Sequence, residues 1–147
     1  MLERLHAHRE WANQRILDWV FALPHPDEYF LKMLSHILMA EGVWLCRIRG
    51  ESNPDFSRKL LAWETLSVEE LKSRSAASNA GWQEVLQSDV SRTVRYFRFT
   101  GEACDSVVSD MATHVCTHGV YHRGQIAAHA ARLGLKCPPT DFIVFSR

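Results

Sequence analysis

The sequence His114-Val-Cys-Thr-His118-Gly-Val-Tyr-His122-Arg-Gly-Gln125 repeats histidine at intervals of four residues. The apolar residues around it have the spacing of a long helix, and residues four apart lie above one another on one face of an α-helix. Two imidazoles at such positions can bind one metal ion without distorting the backbone, as they do in other helical metal sites. The stretch therefore predicts a metal site on the inner face of a helix.

The three histidines of this stretch cannot contribute equally to one ion. Each step of four residues rotates a side chain by about 40° around the helix axis. We interpret His118 and His122 as the ligand pair. His114 is then a residue of the surrounding cavity, or one that fixes the tautomer of a ligand. The alternative for the pair is two buried core histidines that are satisfied by hydrogen bonds.

Three neighbouring residues favour the metal over the core alternative. Gly119 and Gly124 lie inside the predicted helix, where glycine costs about 1 kcal/mol relative to alanine. Glycine at such a position usually marks the close approach of a neighbour or a ligand. Gln125 follows the pair, and its amide can orient a ligand or a bound water molecule.

A third ligand has to come from another helix, because catalytic zinc sites usually have three protein ligands and one open position. His36 is the best candidate, since it is a lone histidine beside the apolar stripe of another predicted helix. Only one of His6 and His8 can face inward, because they lie two residues apart on the first helix. His25 lies between prolines in a predicted exposed loop, and His129 lies too far along its helix to share the ion.

Other side chains are interpreted mainly as structural. Two interpretations are open for Arg123. It forms an ion pair with a neighbouring helix or molecule, or it binds an anion near the metal, and the first interpretation is favoured. Cys116 falls on another side of the helix from His118 and is rejected as a ligand. Glu41 is a weak candidate for a general base, because helical carboxylates are usually solvated. Core or interface positions are predicted for Trp11, Trp19, Trp44, Trp63 and Trp82.

The composition is that of one soluble globular domain over residues 1–147, with 46% hydrophobic and 23% charged residues. Lysine plus arginine and aspartate plus glutamate each total 17, which argues against a nucleic-acid partner. No apolar run approaches the ~18 residues of a membrane span, so no membrane partner is expected. The charged start and the cysteine spacing, which fits no disulfide framework, predict a cytoplasmic protein.

Apolar periodicity predicts four long helices, and local signals mark several of their ends. Pro24 and Pro26 end the first helix, Ser67 and Glu70 form a capping box at the third, and Gly134 caps the last. The approximate helical ranges are 2–23, 27–49, 67–87 and 105–133.

Three segments lie outside these helices. Residues 51–66 have poor periodicity and predict a long connection, either a crossover or part of the wall of a site. Residues 92–100 are rich in β-branched and aromatic residues and predict an extended segment or a short hairpin arm. The tail from Lys136 has two prolines and an apolar end, and we expect it to pack extended against the helices.

Three parts of the chain resemble the DinB/YfiT-like family of metal-binding helical bundles: Leu34-Ser-His36-Ile-Leu-Met-Ala-Glu41 with Trp44, the stretch His114–Gln125, and Leu133-Gly134 followed by Pro138-Pro139-Thr140-Asp141-Phe142. The resemblance covers nearly the whole chain. It implies an all-α fold, a four-helix bundle with a long crossover connection. The composition of residues 92–100 adds to this fold a short extended arm before the last helix. The resemblance also implies one divalent metal ion, zinc or nickel, held by His36, His118 and His122.

The resemblance further implies a homodimer, and some relatives resemble S-transferases that use a low-molecular-weight thiol. We predict a metal-dependent enzyme of thiol S-transferase or hydrolase type that acts on a small molecule, with its catalytic residues unassigned. A metal ion with three neutral imidazoles lowers the pKa of a bound water to about 7 or ionises a thiol. The alternative is a noncatalytic, stress-associated metal-binding module. Nucleic-acid binding ranks third.

Overall fold

The computed structural model describes residues 1–147, apart from the side chain of Pro54. The chain forms, in order, α1 (Leu2–Ala22), α2 (Glu28–Arg49), α3 (Pro54–Leu61), α4 (Val68–Gln87), β1 (Thr93–Phe97), β2 (Ala103–Val107), α5 (Val108–Arg132) and α6 (Phe142–Phe145). The long helices α1 and α2 each pack against both α4 and α5. The predicted all-α fold, with a small β arm before the last long helix, is confirmed. No helix in the described chain has the length and apolar character needed to cross a membrane.

The helix ends follow the local sequence signals. The Asp27 side chain accepts a hydrogen bond from the Tyr29 N–H at 2.9 Å, which satisfies one of the free donors at the start of α2. Gly50 ends α2 with a φ of 69°, a left-handed conformation that glycine adopts without strain. The predicted capping box is present at α4, where Ser67 and Glu70 bond to each other's backbone N–H groups.

The predicted bounds are wrong in two places. The last long helix begins at Val108 and not near Asp105, because Asp105 belongs to β2 and pairs there with Arg95. The β arm is therefore a two-stranded antiparallel hairpin, the second of the two forms predicted. The predicted connection 51–66 contains the helix α3, whose first turn is capped by the Asn53 side chain.

The chain after α5 also differs from the sequence-based expectation. The predicted range of the last helix ends at residue 133, but Leu133 follows the last helical residue, caps α5 and is exposed. The tail does not remain extended, because it ends in the single helical turn α6. The His8 ring lies 5.3 Å from the Phe142 ring and 5.6 Å from the Phe145 ring, so α6 packs on α1 through its aromatic residues.

The core consists of two apolar clusters with a polar layer between them. One cluster contains Leu17, Phe30, Ile37, Leu71 and Ile126 among its buried residues. The other contains Leu45, Ile48, Trp82, Val108 and Val115. Glu41 on α2 and Ser78 on α4 each lie between the residues that belong to the two clusters, so each helix crosses the polar layer once.

Glu41 is the centre of this polar layer. Its side chain is 1% exposed, and it accepts hydrogen bonds from Arg9 Nη1 at 2.6 Å and from Asn13 Nδ2 at 2.9 Å. The Ser78 hydroxyl also donates to this carboxylate. Arg123 Nη1 then donates to Asn13 Oδ1 at 2.6 Å, which adds α5 to the network. The expectation of a solvated Glu41 is wrong. Arg123 contacts a neighbouring helix, as its structural interpretation expected, but through a hydrogen bond to the Asn13 amide and not through an ion pair.

Removal of the Glu41 carboxylate should strongly destabilise the fold. Glu41→Ala leaves the Arg9 guanidinium buried without its counter-ion, and we expect a loss of about 3–5 kcal/mol in the free energy of unfolding. Urea unfolding with a chelator present measures this loss. The control is Glu84→Ala, which removes a solvent-exposed pair with Arg49 and should cost less than about 1 kcal/mol. Equal losses for both variants would contradict the role assigned to Glu41.

Candidate metal centre

Three histidine side chains converge between α2 and α5. His36 Nε2 lies 3.3 Å from His118 Nε2, and His118 Nε2 lies 3.0 Å from His122 Nε2. The potential ligand atoms of the three residues all lie within 4.8 Å of one another. Metal–nitrogen bonds of about 2.0–2.1 Å place neighbouring ligand nitrogens about 3.0–3.4 Å apart. The cluster therefore has the dimensions needed to hold one metal ion.

Hydrogen bonding within the cluster favours a cation at its centre. His122 Nδ1 lies 2.7 Å from Gln125 Oε1, an amide oxygen that can only accept, so Nδ1 carries the ring proton. The Nε2 atom of His122 consequently presents a lone pair to His118. His118 Nε2 carries at most one proton, whereas it has two nitrogen neighbours, His36 Nε2 and His122 Nε2. One proton can form a well-aligned hydrogen bond to only one of them. A positive ion would satisfy all three nitrogens.

The electrostatic environment keeps the imidazoles neutral. Burial, followed by the neighbouring histidines, lowers the pKa of His118 to about 3. Burial and the nearby His122 lower the pKa of His36 to about 4. Burial also lowers the pKa of His122, although its hydrogen bond with Gln125 acts in the opposite direction. Neutral imidazole is the form that binds a metal, so the site needs no deprotonation near pH 7.

Gln125 has the orienting role that the sequence suggested, but the two glycines do not mark a ligand. A Cβ at Gly119 would lie 2.8 Å from Nη1 of Arg123, so the close neighbour is a side chain of the same helix. A Cβ at Gly124 would meet nothing within 4 Å. Gly119 thus makes room for the polar layer, and Gly124 gives no support to the metal hypothesis.

Trp63 is a part of the site that sequence reasoning missed. Its ring stacks on the His36 ring with a centroid separation of 3.9 Å and an interplanar angle of 5°. His36 Nδ1 is buried and has no hydrogen-bond partner among the described atoms. The orientation of this ring is therefore set by stacking, whereas that of His122 is set by the Gln125 amide.

The backbone at Trp63 is strained. Its φ is 53°, in the left-handed region that bulky residues rarely adopt, and the side chain remains 40% exposed. Neither feature is explained by burial of the indole in the core. The strain places the ring against His36, and no pattern in the surrounding connection signals this contact.

Two of the remaining histidines lie where the sequence indicated. His114 is outside the three-residue cluster, and its ring lies 5.6 Å from that of His118 and 5.0 Å from that of Trp44. It therefore forms part of the wall beside the cluster. His25 is exposed in the loop between α1 and α2.

The expectation for His6 and His8 is wrong, because both rings are buried. His6 Nε2 donates to the Ala112 carbonyl at 3.1 Å, and His8 Nε2 donates to the Thr140 carbonyl at 2.7 Å. His6 faces α5, whereas His8 faces the C-terminal tail. Two different sides of α1 are therefore buried, and not only the side that faces the helical core. Both are structural histidines that a hydrogen bond through Nε2 holds in place, although the buried Nδ1 of His6 has no partner among the described atoms.

The fold and the site together define a class of protein, a helical bundle with a three-histidine cluster that could hold a metal ion. The sequence model of the DinB family matches residues 1–147, and the chain belongs to that family. It is similar to Protein DinB of Bacillus subtilis (strain 168), with 26% identity over 164 aligned positions. This alignment covers 95% of the present chain and 90% of the Bacillus protein.

Loss of the Trp63 ring should weaken metal binding without removing a ligand. Trp63→Leu abolishes the stack that orients His36, and changes in residues that orient metal ligands typically cost about 10–100-fold in metal affinity. Competition with a chromophoric zinc chelator measures the affinity. Trp63→Phe retains a stacking ring and should largely restore the affinity. Trp11→Leu on α1 is the control. Equal zinc affinities of Trp63→Leu and Trp11→Leu would contradict the role of Trp63 in orienting His36.

Proposed function

We propose that the protein binds one divalent ion, zinc or nickel, through the Nε2 atoms of His36, His118 and His122. We further propose that it is an enzyme that uses this ion to activate a low-molecular-weight thiol for transfer to a small electrophile. The observation that supports the proposal most strongly is the convergence of three neutral imidazoles, with neighbouring Nε2 atoms 3.0 and 3.3 Å apart.

The ligand set suits activation of a bound group. A divalent ion held by neutral imidazoles keeps its full charge and, when bound, lowers the pKa of a thiol or water coordinated to it. The protein's own contribution is orientation. Gln125 keeps the proton of His122 on Nδ1, and Trp63 fixes the plane of the His36 ring.

Thiol transfer is favoured over hydrolysis by the state of Glu41. This carboxylate was the only general-base candidate named from the sequence, and Arg9, Asn13 and Ser78 already donate to it in the buried layer. Thiol transfer needs no such base, because the S–H proton can pass to solvent. The sulfur then forms a bond to the electrophilic carbon, and the leaving group departs with the electron pair of the bond that breaks.

The alternative is a metal-binding module without catalytic activity, associated with stress. The hydrogen bonds of Glu41 support this alternative as well, because they leave Glu41 unavailable as a general base. The cluster itself consists of imidazoles alone. Homodimer formation stays a prediction of the family resemblance.

Metal analysis tests the ligand assignment. Protein without a histidine tag, loaded with zinc and dialysed, should retain about one ion per chain, since the cluster offers the three ligands that zinc sites use. His118→Ala and His122→Ala should each lose that ion, whereas the exposed His25→Ala should keep it. Retention of a full equivalent by both cluster variants would refute the site.

A panel of thiols tests the reaction. Cysteine, N-acetylcysteine and glutathione are each incubated with monochlorobimane and with zinc- or nickel-loaded protein. We expect thioether formation that depends on the metal and disappears in His118→Ala, because the variant lacks a proposed ligand. A metal-loaded protein that accelerates none of these reactions would favour the noncatalytic module over the transferase.

A further inference from the structure

A second site of a different kind lies at the C-terminal end of α2. There the helix, α3 and the β hairpin enclose a cleft of about 430 Å³. Three arginines line it, Arg47 from α2 and Arg95 and Arg98 from the hairpin. Because Arg47 lies eleven residues beyond His36 on the same helix, about 16 Å of helix separate the two positions. The cleft is therefore distinct from the histidine cluster.

The three arginines differ in their partners. Arg95 donates through Nε and Nη2 to the Asp105 carboxylate, with both distances 3.0 Å. Arg98 Nη1 donates to Glu102 at 2.9 Å. Arg47 has neither an ion pair nor a side-chain hydrogen bond among the residues whose side chains are described. The cleft thus contains one guanidinium whose charge is not compensated by a carboxylate.

Aromatic rings hold Arg47 in place. Its guanidinium carbon lies 4.6 Å from the ring centroid of Trp44, 5.0 Å from that of Tyr96 and 4.9 Å from that of Phe99. None of these contacts is a hydrogen bond, so the N–H donors of Arg47 have no acceptor among the described residues. A fixed guanidinium edge donates two parallel hydrogen bonds to a carboxylate. The Arg47 side chain is partly buried, and this burial lowers the pKa of its guanidinium.

The other residues that line the cleft indicate the apolar part and the net charge of a ligand that would fit there. Phe97 and Phe99 line it and are still 64% and 46% exposed, so apolar surface is available for a ligand to cover. Glu51 also lines the cleft and would repel a second negative charge. These features fit a molecule with a single negative charge and a flat apolar group.

We propose that this cleft binds a small organic monocarboxylate, with its carboxylate on the N–H edge of Arg47 and its apolar group against Phe97 and Phe99. The proposal goes beyond the metal-dependent function and does not depend on it. Aromatic monocarboxylates such as 3-phenylpropionate represent the chemical class.

The test compares 3-phenylpropionate with 3-phenylpropanol, which has the same ring and chain but no charge. Calorimetric titration of metal-free protein, with a chelator present, separates this site from the histidine cluster. We expect saturable binding of the carboxylate and binding of the alcohol that is at least about tenfold weaker, because the charge-assisted pair is missing. Equal affinity for both compounds, or no saturable binding of the carboxylate, would overturn the proposal.

Variants of Arg47 test its role directly. Arg47→Met keeps an unbranched apolar stem and removes the charge, and it should weaken 3-phenylpropionate binding at least about tenfold. Arg47→Lys keeps the charge but loses the pair of parallel N–H donors, so it should also bind 3-phenylpropionate more weakly than the parent protein. This variant keeps the test decisive if Arg47→Met does not fold. The control is Arg49→Met, which changes an exposed arginine two residues away that pairs with Glu84. Parental affinity in either Arg47 variant would contradict the assignment.

Discussion

The buried carboxylate of Glu41 is the interaction on which the arrangement of the helices depends. It joins α1 and α4 to α2 through Arg9 and Ser78, and Asn13 extends the connection to Arg123 on α5. A buried ion pair adds little net stability over apolar packing, but a broken one is costly, so such a layer restricts how helices can slide. Because Glu41 lies five residues after His36 and Arg123 follows His122, the layer fixes the register that brings the histidines together.

Much of the fold could be predicted from the sequence because its signals are local. The capping box at Ser67 and the left-handed Gly50 act within a few residues, and the helices that they delimit have the expected bounds. Asp105 was misplaced because its partner, Arg95, lies across a hairpin, and periodicity within one segment does not reveal such pairing. The helix α3 was missed because a short helix contains too few residues to establish a period.

The histidine cluster was foreseen in part for the same reason. The spacing of His118 and His122 on one helix is local. His36 was selected as a lone histidine beside the apolar stripe of another predicted helix, and the family resemblance implied the same residue. Trp63 could not be found, since its contact with His36 depends on the path of an irregular connection. Glu41 was misjudged because burial of this helical carboxylate is decided by residues on two other helices, α1 and α4.

We propose that α2 and α5 bring three imidazole nitrogens onto one metal ion. A crystal structure of the protein loaded with one equivalent of zinc, with diffraction measured at the zinc absorption edge, tests this arrangement most directly. We expect one strong anomalous peak between the helices, about 2.0–2.1 Å from the Nε2 atoms of His36, His118 and His122. A zinc peak held by other residues, or no peak among these three nitrogens, would contradict it.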